Sequence, residues 1–262
     1  MIIVPNFDPN LITIGPIAIR WYSLAYIVGI LFSWFLLKYF NKQKPIMKNE
    51  DFDDCLFYGV LGIILGGRLG YVLFYNLGFY LQHPLQILAV WQGGMSFHGG
   101  LLGAILAMWL FCKKHQINFL QLTDILSVAA PVGLFLGRIA NFINLELYGR
   151  VTDSKFGMIF PNAGFEPRHP SQLYEAGLEG LLSFIILFSL IKLTKIREKT
   201  GTLSGLFLIL YGSSRIFVEQ FREPDSQIGF IFDYLTLGQL LSLPLIILGI
   251  IVIAYQRQRK TK

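Results

Sequence analysis

Four side chains stand where the surrounding sequence is too apolar to hold them without a reason. Arg68 follows Gly66-Gly67, Arg138 follows Gly137, and Arg215 follows Ser213-Ser214. His98 lies between Phe97 and the pair Gly99-Gly100. An arginine at the centre of a membrane-length helix costs about 2.5–3.5 kcal/mol on the insertion scale, so it faces a partner or a wet cavity. A guanidinium presents a planar fork of donors that matches phosphate oxygens two at a time. An imidazole accepts a proton near neutral pH. The set therefore describes a phosphate-binding group beside a general base. One arginine near a helix end would more often snorkel to the headgroups. Three with polar neighbours favour a site, and at headgroup depth they suit a phospholipid.

The neighbours fall at helical spacing. Arg138 and Asn141 are three apart and share a face, which Asn144 extends if the helix persists; Glu146 and Arg150 follow. Arg215, Glu219 and Arg222 stand at i, i+4 and i+7, a charged stripe in which Glu219 is expected to orient Arg215. Gly99 and Gly103 are four apart, the pattern of close helix contact, although a glycine also lets a bulky substrate approach the backbone. Other chemistries lack their signals. There is no Walker-type loop, no strand is predicted before Gly66-Gly67-Arg68-Leu69-Gly70, and His83, His98, His115 and His169 make no metal motif. Neither a metal nor a cofactor is expected. Cys55 and Cys112 read as small buried residues.

The elements that must position these groups are membrane helices. The chain has 262 residues, 54% of them hydrophobic and only 15% charged, where a soluble domain carries about 25% charged. Mean hydropathy is +0.56. Seven apolar segments can be drawn, near residues 21–37, 56–75, 95–112, 123–142, 173–191, 202–218 and 235–255. Basic residues follow the first (Lys38, Lys42, Lys44, Lys48), third (Lys113, Lys114), fifth (Lys192, Lys195, Arg197, Lys199) and seventh (Arg257, Arg259, Lys260, Lys262). The positive-inside rule then places the N-terminus outside and the C-terminus in the cytoplasm. The net charge of +6 is read as this topology signal, not as a nucleic-acid surface. The expectation is a single all-α integral-membrane domain over residues 1–262, with about seven transmembrane helices and a small outer cap near 145–171. Residues 75–92 carry no Lys or Arg and include Trp91, which suits the outer interface. Arg68, Arg138 and Arg215 fall in the outward halves of the second, fourth and sixth spans, and His98 opens the third. All four are thus expected at one depth, near the outer leaflet.

Several blocks resemble the prolipoprotein diacylglyceryl transferase family. They are Arg20-Trp21-Tyr22 with Tyr26, Gly67-Arg68-Leu69-Gly70-Tyr71, and His98-Gly99-Gly100-Leu101-Leu102-Gly103. The segment from Gly137-Arg138 through Asn141, Asn144 and Glu146 to Arg150 is another, as is Arg168-His169-Pro170-Ser171-Gln172-Leu173-Tyr174-Glu175. The last runs from Tyr211-Gly212 through Arg215 and Glu219 to Arg222-Glu223-Pro224-Asp225. The resemblance implies a multi-pass protein of the bacterial inner membrane with its site toward the periplasmic leaflet. It implies transfer of diacylglyceryl from phosphatidylglycerol to the lipobox cysteine of a prolipoprotein signal peptide, with release of glycerol 1-phosphate. The implied partners are those two substrates and the membrane lipids, with no nucleic acid. His98, Arg138 and Arg215 are implied as catalytic. Arg138, Arg215, Tyr26, Gly99, Asn141, Asn144 and Glu146 are implied to bind phosphatidylglycerol, with Glu219, Arg222, Arg68 and Tyr71 in support. Leu145 and Tyr148 depart from the family pattern, which has glycine and tryptophan there. Whether His98 is the base or orients the headgroup stays open. A lipid transporter would show inverted repeats or charges at several depths. A binding protein for signal peptides would need apolar grooves but not a histidine with two arginines.

Overall fold

The computed structural model describes residues 2–14, 17–223 and 235–259. Pro224 and Asp225 of the last block and the basic residues Lys260 and Lys262 lie outside them. The long helices are α1 (Trp21–Gln43), α2 (Asp51–Tyr75), α4 (Phe97–His115), α5 (Phe119–Ile143), α8 (Thr202–Val218) and α9 (Leu237–Arg259). The short helix α3 (Leu77–Gln82) follows α2. A further long rod joins α6 (Ser171–Glu175), a π-helical segment (Ala176–Leu182) and α7 (Ser183–Leu193). Every one of the seven apolar segments is helical. Five helices are long and apolar enough to cross a membrane: Trp21–Gln43, Asp51–Tyr75, Phe119–Ile143, Ser171–Leu193 and Leu237–Tyr255. The protein is an all-α membrane protein on that evidence. The other two segments fall short for visible reasons. α8 has 17 residues, and α4 dilutes its apolar run with Lys113, Lys114 and His115 in its last turn.

The chain forms two compact units, Lys38–Leu122 and Met1–Leu37 with Thr123–Lys262. In the first, α2 and α4 run antiparallel with their backbones touching. A Cβ on Gly66 would lie 2.7 Å from Gly103 Cα, and one on Gly70 would lie 2.8 Å from Gly99 Cα. Small residues allow this approach, which dispersion and backbone contact then stabilise where lipid offers no hydrophobic drive. One end of the pair is polar and basic. His115 Nδ1 is 2.7 Å from Asp51 Oδ1, and Lys114 Nζ is 3.7 Å from Asp54 Oδ2. The other end carries α3, two 3₁₀ turns (Pro84–Leu88 and Val90–Gln92) and the start of α4.

The second unit also has two different ends. At one, the buried Asp124 carboxylate near the start of α5 accepts from Gly201 N (2.6 Å), Ser204 N (2.8 Å) and Ser204 Oγ (2.9 Å). It caps α8 from another helix, satisfying donors that a helix start leaves open. The basic residues after α7 lie at this end. The opposite end holds the C-terminal parts of α5 and α8 and the beginning of α6. There a small cap folds over residues 145–171. β1 (Ile2–Ile3) pairs in parallel with β4 (Met158–Ile159), and Val4, Leu145 and Phe160 form its core. A hairpin of β2 (Asn10–Ile14) and β3 (Ile17–Arg20) precedes α1. Leu145 has φ of 55°, a left-handed backbone that costs a non-glycine residue roughly 1–2 kcal/mol. The glycine of the family pattern fits that angle. Leucine is held there by burial against Val4 and Phe160.

Candidate functional site

Arg138, in the last two turns of α5, and Arg215, in the last turn of α8, meet over two carboxylates that rise from the rod opposite them. Arg138 Nε lies 3.1 Å from Glu175 Oε2, and its Nη2 lies 3.4 Å from Glu179 Oε2. Arg215 Nη1 contacts the other oxygen of Glu175 and stands 3.7 Å from Glu179 Oε1. Its Nη2 pairs with Glu219 at 2.5 Å, one turn along α8. Arg222 Nη1 reaches Glu175 at 3.1 Å, and its Nε faces Glu219 at 3.8 Å. The cluster thus interleaves Arg138, Arg215 and Arg222 with Glu175, Glu179 and Glu219. Glu175 and Glu179 are wholly buried. Buried charges of this kind persist only when paired, since an isolated one costs several kcal/mol.

Local sequence explains the convergence. Glu175 ends α6 and Glu179 sits in the π-helical segment, a form that recurs at functional sites. Gly180 in that segment abuts the α5 backbone, where a Cβ would come within 2.8 Å of Phe135 Cα. The carboxylates are therefore brought against α5 one turn from Arg138. On the far side of Glu219, Gly238 of α9 leaves room for the carboxylate, because a Cβ there would lie 2.6 Å from Glu219 Cδ. Thr236 and Gln239 cap α9 reciprocally, through Thr236 N to Gln239 Oε1 (3.1 Å) and Gln239 N to Thr236 Oγ1 (3.2 Å).

A second polar group lies one turn beyond Arg138. Asn141 Nδ2 donates to Tyr22 Oη (2.8 Å) and Glu146 Oε1 (3.3 Å), and Asn144 Nδ2 donates to the same Glu146 oxygen (3.1 Å). Gln172 Nε2 donates to the Glu146 carbonyl (2.7 Å). Glu146 is thereby held as a hydrogen-bonded carboxylate at the mouth of the cap. Arg150 closes the edge, with Nε to Arg222 O at 2.8 Å and Nη2 to Glu219 O at 3.2 Å. Such an array can bind an anion on guanidinium edges and receive a proton or sugar-like hydroxyl at Glu146.

The expected residues of this unit therefore come together: Arg138, Arg215, Asn141, Asn144, Glu146, Glu219 and Arg222. Tyr26 stacks on Tyr22 (6.0 Å between centroids) and is 49% exposed; the hydroxyl bonded to Asn141 is that of Tyr22. Tyr22, Gln172 and Glu175 stand in the blocks that carry the family resemblance but have no site role there, and Glu179 stands in none of them. The rule that flagged the arginines, a charge inside an apolar segment, also applies to Glu175 and Glu179, four apart at the start of the fifth.

Four expected residues belong to the other unit. His98 is exposed in the first turn of α4, its ring edge-on to Phe97 at 5.7 Å. Gly99 faces the α2 backbone at Gly66 and Gly70, so helix contact accounts for it. Tyr71 stacks on Tyr75 at 5.6 Å. Arg68 is only 3% exposed and binds backbone carbonyls. Among the described residues, no group of three or more His, Cys, Asp or Glu side chains could hold a metal ion.

Comparison with known proteins adds an independent line. Residues 9–255 match the family model described as prolipoprotein diacylglyceryl transferase. Among curated proteins, the phosphatidylglycerol–prolipoprotein diacylglyceryl transferase of Rickettsia felis is 57% identical over 246 residues, covering 94% of this chain and 95% of that protein. That of Rickettsia canadensis is 56% identical over 248 residues (94% and 96%), and that of Rickettsia typhi is 55% identical over 248 residues (94% and 96%).

Proposed function

Because the chain belongs to the prolipoprotein diacylglyceryl transferase family, we propose that it transfers the diacylglyceryl group of phosphatidylglycerol to the thiol of a prolipoprotein cysteine, releasing glycerol 1-phosphate. The observation that carries this reading on the structural side is the sharing of Glu175 by Arg138 and Arg215 within apolar helices. In the proposed step the thiol gives up its proton, since the thiolate is the nucleophile and a free thiol has a pKa of about 8.5. The thiolate attacks the glycerol carbon bonded to the phosphate oxygen. A C–S bond forms, the C–O bond breaks, and the phosphate departs with the electron pair. Negative charge grows on the phosphate as the bond opens. Arg138 and Arg215 face that growth with fixed donors, which is where electrostatic catalysis is strongest. Asn141, Asn144 and Glu146 hold the headgroup glycerol. The acyl chains and the signal helix remain in apolar surroundings throughout.

Two groups suit the proton acceptor. His98 has the ordinary chemistry for it. Glu146, held by Asn141 and Asn144 in the same unit as the arginines, is the second.

The placement proposed is a single seven-span domain in the bacterial inner membrane, N-terminus outside, C-terminus cytoplasmic, with the site toward the outer leaflet. It is supported by a polarity within each unit. Lys113 and Lys114 gather at one end of the α2–α4 pair, with His98 at the other. Lys192, Lys195, Arg197 and Lys199 lie at the end of their unit opposite the arginine–glutamate cluster. The positive-inside rule reads both basic ends as cytoplasmic.

The test combines purified protein, phosphatidylglycerol and a lipobox peptide, followed by mass spectrometry. A thioether-linked diacylglyceryl adduct on the peptide cysteine is expected. Its absence with a folded, lipid-supplied protein overturns the proposal. Arg138→Lys keeps the charge but not the fork, and is expected to lower the rate by about 100-fold, the range for loss of one preorganised donor.

A further inference from the structure

Arg68 looks in sequence like a third phosphate ligand, but its donors are already assigned. A guanidinium has five N–H groups, and five carbonyls meet them. Nε donates to Ile87 O (2.9 Å); Nη1 donates to Gly93 O (2.5 Å) and Gly94 O (3.1 Å); Nη2 donates to Gln86 O (2.6 Å) and Ala89 O (3.2 Å). Its apolar face lies over the Tyr80 ring, 5.1 Å from the centroid. The side chain thus gathers the carbonyls of a nine-residue stretch whose own backbone bonds are short-range 3₁₀ turns, Ala89 N to Gln86 O (3.1 Å), Gln92 N to Ala89 O (3.2 Å) and Gly93 N to Val90 O (3.3 Å). That stretch leads directly into α4. Gly93 (φ 85°) and Gly94 (φ 75°) turn the chain through two left-handed positions, which side-chain-bearing residues rarely adopt. Ser96 N then donates to Gly67 O at 2.9 Å, beside Arg68, and Ser96 Oγ caps α4 by accepting from Gly99 N at 3.3 Å. His98 stands two residues past Ser96.

We propose that Arg68 is a positioning residue for His98: it holds the hook of residues 86–94 so that α4 begins at one fixed place on α2 and presents the imidazole there. It does not bind lipid phosphate. This inference rests on the reading of His98 as a group the transfer needs. The glycine pair belongs to the same device, because a Cβ on Gly94 would lie 2.6 Å from the Tyr71 ring and 3.0 Å from Arg68 Nη1.

The two roles separate in kinetics. Loss of a phosphate ligand raises KM for phosphatidylglycerol, whereas misplacement of a reacting group lowers kcat, by as much as 100-fold for a shift of about 1 Å. The experiment uses the full-length protein in phosphatidylglycerol vesicles with a lipobox peptide, comparing Arg68→Gln, Gly94→Ala, their combination and His98→Gln. Both single variants are expected to lower kcat by more than about tenfold with KM for the lipid changed by less than about threefold, and the combination to be no worse than Arg68→Gln. A rise in KM with kcat kept in Arg68→Gln overturns the inference in favour of direct lipid binding. A normal kcat in Arg68→Gln, or effects that multiply in the combination, also overturns it. If Arg68→Gln does not fold, Gly94→Ala decides alone: lowered kcat at unchanged KM supports the hook, and normal kcat refutes it. His98→Gln keeps the two readings apart. An active His98→Gln protein removes the premise, whereas an inactive one beside an active Arg68→Gln removes only the inference.

Discussion

Glu175 is the hub on which the arginine cluster turns, and Glu175→Gln is the sharpest way to perturb it. The substitution keeps the side chain's shape, so no cavity forms, and it removes one negative charge that touches Arg138, Arg215 and Arg222. The carboxylate has no exposed surface, so solvent does not screen the loss. Breaking a buried pair by removing one partner costs about 3–5 kcal/mol. For a chain of this size 1 kcal/mol moves the melting point by roughly 2–4 °C, which puts the expected drop at about 6–20 °C. The drop is read by thermal unfolding in detergent. Turnover of labelled phosphatidylglycerol onto a lipobox peptide should fall by more than about tenfold, because Arg138 and Arg215 lose the oxygen pair that fixes their planes. Adding Arg222→Gln removes the excess positive charge, and should restore at least about 1 kcal/mol of stability, as expected for residues in one network. A Glu175→Gln protein that melts within about 2 °C of the parent and turns over normally would sink the idea that this carboxylate organises the site.

Gly238→Ala should push the Glu219 carboxylate off its seat and lower kcat by more than about tenfold, while a double cycle with Glu219→Asp should be non-additive; independent effects would refute the contact. Tyr22→Phe deletes the hydroxyl that accepts from Asn141 and should slow transfer by about tenfold or more; an unchanged rate would refute a role for that hydroxyl. Burial holds the His169 imidazole below its ordinary pKa. Its unfolded form therefore binds protons first, so its contribution is complete above about pH 6.5 and is lost as pH falls through that value toward the folded pKa. The melting point of the parent should accordingly fall more between pH 7.5 and 5.5, chosen to bracket an imidazole titration at about 6.5, than that of His169→Gln, and parallel curves would refute the assignment.

What could be read from sequence follows from which interactions have a letter. Arg138 and Arg215 were visible because a charge in an apolar run has no cheap alternative to a partner. Their spacing to Asn141 and Glu219 was visible because a helix repeats. The same logic reaches Glu175 and Glu179, but reading residues 173–191 simply as a span leaves Glu175 as only the end of a family block and passes over Glu179. Arg68 could not be told from the other two arginines, because its partners are backbone carbonyls that every residue carries. Tyr22 and Tyr26 are four apart on one helix and stack; only the three-dimensional course of α1 and α5 decides which hydroxyl reaches Asn141. Leu145 marked a departure from the family pattern, and the φ of 55° supplies its physical meaning. All seven apolar segments were legible as helices, because length and apolarity are additive properties of a segment.

The balance of charge in the cluster bears on how it can catalyse. Three guanidinium groups facing three carboxylates form an assembly without net charge, so the site can stand empty between apolar helices and release an anionic product without stranding a buried cation. The carboxylates weaken the attraction for a phosphate, but they do not cancel it. Among the described residues, Arg138 uses Nε and Nη2 on glutamates, and no ion pair engages its Nη1. A phosphate on that open edge would be nearer the guanidinium than the glutamates behind it. At an effective dielectric of about 20, a unit charge gains roughly 4 kcal/mol from a cation at about 4 Å and loses roughly 2 kcal/mol to a carboxylate at about 8 Å. The difference, about 2 kcal/mol for Arg138 with one carboxylate counted against it, applies to the extra charge that appears only as the C–O bond opens, and corresponds to roughly 30-fold in rate. Stabilisation confined to that charge raises kcat without tightening the ground state. Neutralising carboxylates and catalytic arginines are thus compatible, provided the glutamates lie behind the guanidinium groups and the lipid phosphate in front.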